Sequence, residues 1–150
     1  YYSGGPAANL SAEIVTFLKE VRTHRSAELS GFVFGSPDAS SIKELDSFDG
    51  LLDANGDLNA SILSDYAVNA QSLYEVIIEG TVYDVGGRAN KVKERVALDT
   101  LDSYIGVSAN FDEYASEDFT PSFTVTSVDR QGQNVGFDGV TYPVKRVYNE

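Results

Sequence analysis

Asp53, Asn55, Asp57, Asn59 and Ser61 put an oxygen-bearing side chain at every second position of one short stretch. Donors at that spacing could wrap a hard cation, and calcium is the ion such a loop would hold. The stretch departs from the helix-loop-helix calcium pattern in two places. Leu58 stands where a glycine should make the sharp turn, and Ser64, followed by Asp65, stands where a bidentate glutamate should close the shell. Asn55-Gly56 is also a dipeptide of tight hairpins, so the same residues read equally as an acidic turn that needs no ion. Calcium is the one cofactor the sequence suggests.

A second cluster runs from Leu101 to Pro121, where Asp102, Asp112, Glu113, Glu117 and Asp118 alternate with Tyr104, Phe111, Tyr114 and Phe119. Long loops in compact domains are often functional, and aromatic faces beside carboxylates suit a glycan, a cationic peptide or a metal. The plain alternative is a partly helical or stranded connection with its aromatics packed beneath it. Tyr1 and Tyr2 stand on an arm, residues 1–8, that Gly4, Gly5 and Pro6 keep irregular. They are candidate anchors on a neighbouring copy, against the plainer reading of a frayed terminus.

Other chemistry is poorly provided for. The chain has no Cys, no Met, no Trp and one His, which removes most nucleophilic, redox and transition-metal sites. His24 sits beside Arg25 and two residues after Arg22, no Gly-x-Ser-x-Gly elbow presents a serine, and a place on a helix surface is expected for it. Gly86-Gly87-Arg88 lacks the Lys-Ser/Thr of a phosphate loop. Paired carboxylates could hydrolyse glycosides, yet among 23 acidic residues no two are singled out. A non-enzymatic chain is expected.

The elements that must position these residues are read from periodicity. Leu10, Ile14, Phe17, Leu18 and Val21, spaced by threes and fours, predict an amphipathic helix over residues 10–29, with Glu13 early, Arg22, His24 and Arg25 late, and Ser30-Gly31 as its stop. Phe32-Val33-Phe34 predicts a brief strand. Residues 36–72 are ambiguous and carry two hairpin dipeptides, Asp49-Gly50 and Asn55-Gly56. Ser72 to Tyr83 predicts a strand with Tyr74, Val76, Ile78 and Val82 on one face. It turns at Gly86-Gly87 into a second strand, Lys91 to Leu98, with Tyr83 opposite Lys91 and Glu79 opposite Arg95. A meander follows: Ser122 to Val128, a turn at Arg130 to Gln133, Asn134 to Phe137, an Asp138-Gly139 turn, and Val140 to Tyr148 with Pro143 at an edge.

The fold class expected is α+β, one N-terminal amphipathic helix packed on an antiparallel β-meander sheet, with a two-sheet β-sandwich plus one helix as the alternative. The length of 150 residues fits a single globular domain, residues 9–150, behind the arm. A net charge of −12 argues against nucleic acid and anionic membranes, and no apolar run is long enough for membrane insertion. Lys91, Lys93 and Arg95 form the one basic cluster between two long acidic stretches. A chain without Met that begins at Tyr1 is expected to derive from a longer product.

The leading functional expectation is a structural subunit of an extracellular, cell-surface or virion assembly. It would self-associate as a homo-oligomer, or with filament or shell neighbours, through its arm and sheet edges. A secreted calcium- or glycan-binding module is the alternative, and a carboxylate-dependent hydrolase the third reading.

Overall fold

Residues 11–21, expected as a helix, form the long β-strand β1 (Ser11–Val21). The reason lies in Ile14-Val15-Thr16-Phe17, three β-branched residues and an aromatic in succession. Such side chains lose rotamer freedom in a helix and fit a pleated surface. A central strand covered on both faces need not alternate strictly, so its apolar residues can mimic helical spacing. Ala12, Thr16 and Leu18 are buried on one face, while Val21 on the other packs against the core. The computed structural model describes residues 7–36, 41–61, 72–111 and 120–136. Among them the only helical element is one 3-10 turn, Ala27–Leu29. The α+β expectation is therefore wrong: the fold is all-β, in two antiparallel sheets.

The remaining strands are β2 (Val33–Phe34), β3 (Ile42–Leu51), β4 (Leu73–Tyr83), β5 (Ala89–Leu98), β6 (Ser103–Ala109) and β7 (Phe123–Asp129). One sheet has the order β3-β1-β4-β5 and the other β2-β6-β7. β4 is covered on both sides like β1: Tyr74 is buried on the expected face, and Leu73, Ile77 and Thr81 on the other. Asp49-Gly50 lies inside β3 and makes no turn. A Cβ on Gly50 would stand 2.9 Å from the end of the Leu58 side chain, which packs over it.

The β4–β5 hairpin is tighter than expected. Tyr83 faces Ala89, and Glu79 faces Lys93 where Arg95 was expected. The opposite-charge pair survives with a different cation, Lys93 Nζ lying 2.6 Å from Glu79.

Leu29, Phe34, Leu73, Tyr104 and Val128 form the core, with Val21 and Phe32 packed against it. Since Val21 and Leu73 belong to the first sheet and Phe34, Tyr104 and Val128 to the second, this cluster joins the two sheets. Among the described residues no helix is long and apolar enough to cross a membrane. Tyr1, Tyr2, the Asp138-Gly139 turn and Pro143 lie outside the described residues.

Candidate functional site

The Asp53 loop is closed by its own backbone. Asp53 Oδ1 accepts the N–H groups of Asn55 (2.8 Å) and Asp57 (3.0 Å). The N–H of Gly56 donates to the Asp53 carbonyl at 3.0 Å, and that of Asp53 to the Asp57 carbonyl at 2.9 Å. The same construction recurs twice. Asp84 Oδ1 accepts the Arg88 N–H while Gly87 N–H donates to the Asp84 carbonyl, and Asp129 Oδ1 accepts Gln131 and Gln133 while Gly132 N–H donates to the Asp129 carbonyl. The glycines have φ of 89° (Gly56), 78° (Gly87) and 87° (Gly132), the left-handed region glycine favours. Asp-x-x-Gly-x is thus a turn motif used three times, at Asp53, Asp84 and Asp129.

The N–H groups of Asp57 and Asn55 hold the Asp53 carboxyl below its usual range. Asp53, Asn55, Asp57, Asn59 and Ser61 are all exposed. Among the described residues no group of three or more His, Cys, Asp or Glu is placed to hold a metal ion.

The segment after Leu101 is not a long loop, because its first part is β6. Tyr104 is buried, and its hydroxyl accepts the N–H groups of Thr100 (2.9 Å) and Leu101 (3.1 Å). Phe111 lies beyond the other end of β6, edge-on to Phe123 with ring centroids 5.3 Å apart. Tyr104 and Phe111 therefore share no surface. Asp112, Glu113, Tyr114, Glu117 and Asp118 lie outside the described residues.

The densest polar chemistry is at one end of the sheets, and composition alone did not point to it. His24, expected on a helix surface, is buried in the turn after β1. Its Nδ1 accepts the Ser26 N–H at 3.0 Å, and its ring lies 5.6 Å from that of Phe34. Burial, and then Arg25, push its pKa below the ordinary histidine value. With the Nδ1 lone pair already accepting the Ser26 N–H, that nitrogen is poorly placed to act as a base.

Arg25 makes a bidentate pair with Asp99 at 3.0 Å and also donates to the Arg130 carbonyl. Arg130 in turn pairs with Asp102 (2.8 Å) and donates from Nε to the Leu101 carbonyl (3.1 Å). This clasp ties the end of β1 to the β5–β6 connection and to the turn after β7. The cavity beside it, lined by Val21, His24, Arg25, Leu73, Tyr74 and Asp99, has a volume of about 80 Å³, far below the size of ordinary ligand pockets. Its charges are spent on each other.

Fold and site define an all-β domain of two antiparallel sheets whose ordered polar groups hold the sheets together. Residues 1–100 match the family of the bacterial alpha-2-macroglobulin MG5 domain, and the chain belongs to that family. Membership makes it a non-enzymatic domain, in line with its sparse catalytic inventory.

Among similar solved structures, Escherichia coli alpha-2-macroglobulin activated by porcine elastase is 26% identical with a TM-score of 0.72, over 86% of this chain and 12% of that one. The trypsin-activated E. coli protein is 24% identical (TM-score 0.71; 89% and 10% covered). Salmonella alpha-2-macroglobulin reacted with methylamine is 24% identical (TM-score 0.68; 89% and 10% covered). This chain thus spans about a tenth of the length of those structures. No curated protein sequence matches it significantly.

Proposed function

We propose that this chain is one structural module of a bacterial alpha-2-macroglobulin, a non-enzymatic protein of periplasmic or extracellular type that traps proteases. The module contributes a rigid two-sheet body. The observation that carries the reading is the family match over residues 1–100, joined to a fold shared with protease-activated macroglobulins. The clasp around Arg25 fits a part that keeps its shape. Neither family nor fold supports a virion subunit or self-association.

The test uses the longer polypeptide that carries this domain. Incubated with trypsin, it is expected to co-elute with the protease in gel filtration. The bound trypsin should still cleave a small chromogenic peptide while losing its action on casein. Loss of both activities, or retention of both, overturns the reading.

A further inference from the structure

We infer that the outer edge of β5 is the docking edge for an acidic strand of a neighbouring module in the same long polypeptide, which joins the first sheet beside β5; this rests on the module reading above. β5 ends the order β3-β1-β4-β5, so its outward N–H and C=O groups have no strand partner in the described sheet. Exposed edges are normally guarded by shortness, bulges, proline or charge. β5 is long, pairs with β4 over ten consecutive positions without a bulge, and contains no proline. On one face it exposes Val92 (68%) and Val96 (49%), with the exposed Glu94 between them.

The other face carries Lys91, Lys93 and Arg95 in a chain of net charge −12. Lys93 is paired with Glu79, whereas Lys91 and Arg95 have no ion-pair partner among the described residues. Charge therefore guards this edge against basic strands and favours an acidic one. The partner that fits alternates acids, opposite Lys91, Lys93 and Arg95, with apolar residues opposite Val92 and Val96 and an uncharged residue opposite Glu94. Main-chain hydrogen bonds would supply affinity and the alternating side chains selectivity.

The probe is a synthetic nine-residue peptide of alternating Glu and Val, with an alternating Lys and Val peptide as control. Amide hydrogen exchange is read on the 150-residue chain. At about ten times its Kd, the Glu/Val peptide is expected to slow the outward amides of β5 about tenfold, an effect that weakens with added salt. The Lys91→Glu/Arg95→Glu double variant, checked for folding by circular dichroism, should lose the protection, and Val92→Thr/Val96→Thr should reduce it. Equal protection by the Lys/Val peptide, no protection by either, or dimerisation of the chain through β5 without peptide each overturns the proposal.

In the longer polypeptide the same amides should be slow without peptide. Fast exchange there overturns the assignment to a neighbouring module. No protease is present in these measurements, so their failure leaves the trapping reading to its own test.

Discussion

At the scale of a single residue, His24 is where chemistry and stability meet. Its folded-state pKa lies below the ordinary value of 6.5, because burial and Arg25 disfavour the imidazolium, while Asp129 and Asp99 oppose the shift without cancelling it. Below pH 6.5 the unfolded chain therefore binds more protons than the folded one. The stabilisation is complete above the unfolded pKa and is lost as pH falls through the folded one. Protonation would also remove the acceptor that Nδ1 offers to the Ser26 N–H. We expect urea-unfolding free energy to fall between pH 7.5 and pH 5.5 by no more than about 1.4 kcal/mol per pH unit from this group. In His24→Asn, whose side-chain oxygen can still accept from Ser26, the drop should shrink. A variant with the same pH slope as the parent would remove His24 from the account.

At the scale of elements, Gly106 decides how close β6 can come to β2. Phe34 is 1% exposed and faces Gly106 across the pair, and a Cβ at Gly106 would stand 2.6 Å from two atoms of the Phe34 ring. Gly106→Ala should cost about 1 to 3 kcal/mol by overpacking, read as a fall in thermal midpoint of several degrees. A shift under a degree would mean that Phe34 moves aside freely.

The strands that alternate or carry clear turns were legible in the sequence: β4, β5, β7 and the short β2 stand where periodicity put them. β1 was not, since Leu10, Ile14, Phe17, Leu18 and Val21 fit helical spacing, and a strand sheltered from water on both faces carries apolar residues without strict alternation. The turns were half legible. Gly86-Gly87 and Asn55-Gly56 signal turns by composition, whereas the aspartate that closes each turn, at Asp53, Asp84 and Asp129, carries no local signal that separates it from a ligand or a surface acid. The clasp joins residues 74 and 105 positions apart, beyond the reach of local pattern.

At the scale of the whole molecule, the described residues join the two sheets through one apolar cluster and one polar clasp, and the clasp is partly open to water. An isolated exposed ion pair usually contributes little, but Arg25 engages both oxygens of Asp99 and also the carbonyl of Arg130, with the Arg25 side chain 42% exposed and that of Asp99 21%. Partial burial and bidentate geometry argue for the upper end of the exposed range. Arg25→Ala should therefore cost about 1 kcal/mol, a shift of roughly 2 to 4 °C for a domain of this size. Arg25→Lys should recover less than half of that, since one ammonium cannot span the carboxylate and also reach the carbonyl. If the clasp couples the sheets, amide exchange in Arg25→Ala should quicken in β6 and β7 while the centre of the first sheet, β1 against β4, keeps its protection. Uniform quickening across both sheets would instead mean that Arg25 adds only to global stability, and an unchanged midpoint would leave the core cluster of Phe34, Leu73, Tyr104 and Val128 as the whole of the joint.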